Sequence, residues 1–84
     1  MYEIIIAPQA KKEFKKLLIR YKQALSEAIL EIKTDPFTSG KILTRELTGK
    51  YSYKIGVYRI IYKINKKDKI VYVLTAGHRS NIYK

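Results

Sequence analysis

The second half of the chain holds three runs rich in β-branched and aromatic residues, joined by connections too short for anything but hairpins. They are Tyr51-Ser52-Tyr53-Lys54-Ile55, then Tyr58-Arg59-Ile60-Ile61-Tyr62-Lys63-Ile64, then Ile70-Val71-Tyr72-Val73-Leu74-Thr75. Gly56 marks the first connection and Asn65-Lys66-Lys67-Asp68-Lys69 the second. A parallel crossover needs about a dozen residues or more, so three such strands must be antiparallel neighbours. Gly77 is expected to end the third, leaving residues 78–84 as a short tail. In the middle strand Ile60, Tyr62 and Ile64 share one face, and Arg59, Ile61 and Lys63 share the other. The first face suits a packed layer. The second is basic, partly aromatic and expected to be open to a ligand.

The first half supplies that layer. Residues 2–6 read as a short β-branched strand, and Pro8 then suits the first turn of a helix, where its missing N–H costs nothing. Ala10, Phe14, Leu17, Leu18, Tyr21, Leu25, Ala28, Ile29 and Ile32 recur in steps that form one face of an α-helix. The pattern stops at Asp35-Pro36, because proline disfavours helix in the residue before it. One straight helix over that stretch would run about 40 Å at 1.5 Å per residue, too long for so small a domain. A break near Tyr21-Lys22 is therefore expected, giving a helix hairpin. Residues 37–50, punctuated by Gly40 and Gly49, read as a connecting loop. The expectation is a single α+β domain over residues 1–84: an N-terminal strand, a two-helix hairpin, then an antiparallel three-strand meander with the helices on one face of the sheet.

Charge narrows the partners. Eighteen Lys and Arg against seven Asp and Glu give +11. From residue 51 onward eight basic side chains face one acid, Asp68, so the strand-rich part is the more basic. Such an excess points to a polyanion such as RNA, DNA, anionic lipid or an acidic protein, although lysines also serve simply to solubilise a surface. With no Cys there is no disulfide framework, thiol nucleophile or Cys-ligated zinc site, and the single His78 argues against a His-rich metal centre. No apolar run reaches the roughly 20 residues of a membrane span, and the start lacks a basic leader. A cytoplasmic protein without cofactor or membrane contact is expected.

The usual enzyme motifs are missing: there is no GxSxG elbow, P-loop or HExxH. A two-metal nuclease needs clustered carboxylates, and the basic half has only Asp68. RNA offers a route without metal, because its own 2′-OH can attack the adjacent phosphate. The protein must then orient that attack, take up one proton, stabilise the phosphorane charge and protonate the leaving 5′-oxygen. Arg presents a planar fork of donors to phosphate oxygens, Lys acts as a base when neighbouring charges depress its pKa, and Tyr exchanges a proton or stacks on a base.

The stretches Leu47-Thr48-Gly49, Tyr51-Ser52-Tyr53-Lys54-Ile55-Gly56, Val57-Tyr58-Arg59-Ile60-Ile61-Tyr62 and Gly77-His78-Arg79-Ser80-Asn81-Ile82-Tyr83 resemble the RelE branch of the RelE/ParE toxin superfamily. The opening strand and helix pair fit as well, so the resemblance spans essentially the whole chain. It implies ribosome-dependent cleavage of mRNA in the A site, leaving a cyclic phosphate and a 5′-hydroxyl. It also implies a cognate antitoxin that covers the basic surface. The family arginine that holds the scissile phosphate falls on Arg59, the one proposed as general acid or charge stabiliser on Arg79, and the C-terminal tyrosine, base or stacking platform, on Tyr83. A family lysine falls on Lys54, while Gly56 stands where the family pattern has a second lysine. Lys54 and Tyr83 are both candidates for the general base. His78, Lys63, Lys11, Lys12 and Lys15 are further candidate RNA contacts. Tyr51, Tyr53, Tyr58, Tyr62 and Tyr72 read first as sheet packing. Rival functions are a ParE-like poison of DNA gyrase, a nonenzymatic RNA- or ribosome-binding module, and a degenerate toxin.

Overall fold

The structure, a computed structural model, describes residues 1–43 and 49–78, with His78 described by its backbone alone. The chain begins with strand β1 (Glu3–Ile6), enters helix α1 (Pro8–Thr34) and a one-turn helix α2 (Pro36–Ser39), and then forms strands β2 (Lys41–Ile42), β3 (Tyr51–Ile55), β4 (Tyr58–Asn65) and β5 (Ile70–His78). All five strands form one sheet in the order β1-β5-β4-β3-β2. The β3-β4-β5 meander is antiparallel, and β1 lies parallel to β5 on the outer edge. The connection from β1 to β5 runs through both helices and the other three strands, well beyond the dozen or so residues that a parallel pairing requires.

The expected break in α1 falls on Tyr21, whose φ of −133° and ψ of 43° interrupt the helix. The longest dimension of the molecule is 33 Å, shorter than a straight helix of this length. The second arm returns to the start of β1, where the Tyr2 N–H donates to the Lys33 carbonyl at 2.8 Å. Ala10, Phe14 and Leu17 of the first arm and Leu25, Ala28 and Ile32 of the second are buried against Ile55, Ile60, Tyr62, Val71, Val73 and Ala76 of the sheet.

The described part of residues 37–50 holds more structure than a loop. The Asp35 carboxylate caps α2, accepting from the Phe37 and Thr38 N–H groups at 3.2 and 3.4 Å and from the Thr38 hydroxyl at 2.7 Å. Lys41 and Ile42 then pair with Ser52 and Tyr51. A two-residue strand and a one-turn helix are too short to leave a periodicity in the sequence. The buried Tyr62 ties both to the meander, since its hydroxyl donates to the Pro36 carbonyl at 2.7 Å and accepts from the Gly40 N–H. A side chain at Gly40 would collide with that hydroxyl.

Gly77 does not end the last strand. Strand β5 runs through it to His78 and contains a bulge. Asn65 to Tyr62 pair with Ile70 to Val73, but the next partner of Ile61 is Thr75, so Leu74 is the extra residue. The Leu74 carbonyl accepts from the Gln9 side-chain amide at 2.7 Å, which anchors the bulge to the first turn of α1. Among the described residues no helix is long and apolar enough to cross a membrane.

Candidate nucleic-acid interface

The helices cover one face of the sheet, and the other carries Lys54, Arg59 and Lys63. In β4, Tyr58, Ile60, Tyr62 and Ile64 pack toward the helices, which leaves Arg59, Ile61 and Lys63 on the opposite face. Pairing brings Lys54 of β3 opposite Arg59, and Gly77 of β5 opposite Arg59 on its other side. Two cations thus sit side by side, flanked by a residue without a side chain. Lys54 is exposed and Arg59 half-buried, a combination that fixes a guanidinium while leaving an ammonium to adjust.

The floor beside this pair is not open as the sequence alone suggests. Ile61 is 2 % exposed and Ser52 is 5 % exposed, although both lie on the face away from the helices. The ligand-accessible part of the face therefore splits into the Lys54–Arg59 row and, four residues further along β4, a row built on Lys63. Lys63 pairs with Tyr72, and its ammonium lies 5.5 Å from the centre of the Tyr72 ring.

Four of the five sheet tyrosines belong to the core side. Tyr51 stacks on Tyr62 with ring centres 5.6 Å apart, and Phe37 meets Tyr51 edge-on at 6.2 Å. Tyr58 meets Tyr21 edge-on at 6.1 Å. The Tyr53 hydroxyl donates to the Glu31 carboxylate. Burial, then the Glu31 hydrogen bond and the charges of Glu31 and Glu27, push the Tyr53 pKa up to about 12. Burial raises that of Tyr62 as well, partly offset by the Gly40 N–H. Neither phenol is a base at neutral pH.

Lys11, Lys12 and Lys15 are exposed on the first arm of α1, in the layer behind the sheet, and are not brought together with Lys54 and Arg59. Arg79 and Tyr83 lie outside the described residues, as does the side chain of His78; the His78 backbone pairs with Tyr58, next to Arg59. Gly56 has φ +57°, and a Cβ there would meet the Tyr21 hydroxyl at 2.8 Å, so a side chain at this position would displace the Tyr21 ring. No group of three or more His, Asp or Glu suited to a metal ion occurs among the described residues.

Comparison with known proteins places this architecture. The sequence model of the ParE toxin of type II toxin–antitoxin systems matches residues 4–83. The chain belongs to this toxin family. It is 33 % identical to the toxin RelG of Mycobacterium tuberculosis over 84 residues, which cover 99 % of this chain and 97 % of that protein. The toxin–antitoxin complex RelBE2 of the same organism contains a similar chain, with a TM-score of 0.79 and 32 % identity over 93 % of this chain and 98 % of that one. A chain of the Escherichia coli RelBE complex has the same fold, with a TM-score of 0.76 at 23 % identity, covering 93 % of this chain and 96 % of that one. The RelE/ParE resemblance drawn from the sequence therefore holds, and so does the α+β architecture.

Two features of this toxin's interface escape a reading of the sequence. Gly77 faces Arg59 only because of the bulge; counted back from the hairpin without it, Ala76 would stand there. Tyr72 is the sheet tyrosine on the charged face, and its parity with Lys63 across the hairpin was the signal that could have found it.

Proposed function

We propose that this toxin is a ribosome-dependent endoribonuclease that cuts mRNA in the A site, with the message's own 2′-OH as nucleophile. The observation that carries the reading is the Lys54–Arg59 pair set opposite Gly77 on the sheet face away from the helices. That row offers a fork of donors and a second cation to one phosphodiester, with room for its backbone to approach. Arg59 holds the scissile phosphate and stabilises the charge that grows on its oxygens during in-line attack. Arg79 and Tyr83 follow β5 by one and five residues, and a five-residue tether reaches at most about 18 Å. Arg79 serves as general acid or charge stabiliser. Lys54 or Tyr83 removes the 2′-OH proton. His78 and Lys63 contact the same strand, and Lys11, Lys12 and Lys15 contact ribosomal RNA from the helix layer. The chemistry uses no cofactor.

The natural partner is a cognate antitoxin, as in the RelBE2 complex, and a net charge of +11 suits an acidic one. The place of action is the cytoplasm, where ribosomes are. A second reading, a poison of DNA gyrase, is favoured by the match to the ParE family.

Induction in cells followed by mapping of RNA 5′ ends separates the two. The nuclease produces new ends within codons of translated messages, and folded Arg59→Ala and Arg79→Ala variants lose them. Double-strand DNA breaks with intact messages would establish the gyrase reading instead. A binding module would give neither.

A further inference from the structure

We infer that the hollow around Tyr72 and Lys63 is a second nucleotide subsite, which seats one base and one phosphate of single-stranded RNA away from the Lys54–Arg59 row. Its lining residues are Lys63, Ile64, Asn65, Lys66 and Tyr72, around about 340 Å³. That volume lies at the lower end of what small-ligand clefts offer, roughly 300–1,000 Å³. The inference rests on the RNA reading of this face and adds to it a residue, Tyr72, that packing of the core does not explain.

Three observations converge. First, Tyr51, Tyr53 and Tyr58 pack against the core and Tyr62 lies within it, but Tyr72 does not belong to that cluster. A half-buried tyrosine on a charged face presents a ring that the core does not use. Second, the ring already attracts the Lys63 ammonium at 5.5 Å, and Lys66 lines the same hollow. An aromatic surface beside two exposed lysines matches both halves of a nucleotide: the ring stacks on any base, and the lysines meet its phosphate. An inorganic anion would have no use for the ring. Third, Ile5 of β1 is the partner of Tyr72 on its other side and is 40 % exposed. The apolar surface therefore continues across the edge of the sheet, as a stacking platform requires.

The position suits a single strand already held at Arg59. Lys63 lies four residues beyond Arg59 on the same face of β4, about 13 Å along an extended strand. A strand whose phosphate rests on the Lys54–Arg59 row can pass over the buried Ile61 and Ser52 and place a neighbouring nucleotide here. The subsite would select for single-stranded nucleic acid, because a base in a duplex has no exposed ring face to offer.

The test is equilibrium binding of a short fluorescein-labelled RNA to the purified toxin by anisotropy, repeated with RNAs carrying one abasic nucleotide at each position in turn. Tyr72→Leu keeps apolar bulk but removes the aromatic surface, and it should weaken binding by about tenfold, within the range of base–aromatic stacking. Tyr72→Phe should stay within about twofold of the parent. One abasic position should weaken the parent protein and leave Tyr72→Leu unaffected. Lys63→Ala should reduce the slope of log K against log salt by about 0.7.

Pelleting with ribosomes then tells the source of the strand. If Tyr72→Leu lowers association only with message-programmed ribosomes, the subsite holds message; if it does so equally with vacant ribosomes, the subsite holds ribosomal RNA. Tyr72→Leu protein that binds RNA as tightly as the parent, or that loses affinity equally at every abasic position, overturns the inference. A protein that leaves messages uncut but gives the expected abasic pattern loses the nuclease reading and keeps the subsite.

Discussion

At the scale of single residues, two positions fix what this chain can tolerate near its charged row. Gly56 turns β3 into β4 with φ +57° under the Tyr21 hydroxyl. Gly56→Lys, which restores the family's second lysine, should therefore destabilise the fold by about 1–2 kcal/mol, the cost of a left-handed side-chain-bearing residue, and displace the Tyr21 ring. The melting temperature checks it. Tyr62 is the second such position. Tyr62→Phe leaves the Pro36 carbonyl and Gly40 N–H without their buried partner and should cost about 1–3 kcal/mol in urea unfolding. Burial raises the pKa of Tyr53 as well as that of Tyr62, which ties stability to alkaline pH. Tyr53 keeps its proton to about pH 12 in the folded state, while the unfolded chain releases it near pH 10. A native state that binds more protons loses stability as pH rises. Stability should thus hold below pH 10 and fall between pH 10 and 12, and Tyr53→Phe should flatten that decline when unfolding is followed across the range.

At the scale of elements, much was legible because each feature repeats. The three β runs, the helical stripe from Ala10 to Ile32 and the break at Tyr21 all follow from periodicity, chain length and connection length. What the sequence hid depends on single contacts between distant residues. Strand β2 and helix α2 are held by Asp35 and Tyr62 rather than by any pattern of their own. The bulge at Leu74 exists in register with an amide from Gln9, 65 residues earlier, and it decides that Gly77 rather than Ala76 stands opposite Arg59. Gln9→Ala should remove the only side-chain hydrogen bond on the Leu74 carbonyl among the described residues, at a cost of about 1 kcal/mol. Hydrogen exchange should report faster opening in residues 73–77, with protection of Tyr51 to Ile55 unchanged. Equal protection throughout would mean that the bulge stands without its anchor.

At the scale of the whole molecule, the helix layer packs the core on one face of the sheet, while Lys54, Arg59 and Lys63 stand on the other. Helix α1 and the inward-facing side chains of the sheet make that core. The family and this separation together give the nuclease reading its physical basis: cations fixed on a rigid sheet, aimed at a strand that supplies its own nucleophile. The resemblance assigned family positions to Arg59 and Lys54 one by one, and the pairing of β3 with β4 sets the two residues opposite each other. The decisive measurement uses ribosomes programmed with a message whose A-site codon carries either ribonucleotides throughout or a single 2′-deoxynucleotide at the scissile position. The account predicts that the purified toxin cuts the all-ribose message to a 5′-hydroxyl product and leaves the deoxy-substituted one intact, and that Arg59→Ala cuts neither. Cleavage of both messages at equal rates, or full activity of Arg59→Ala, would contradict it.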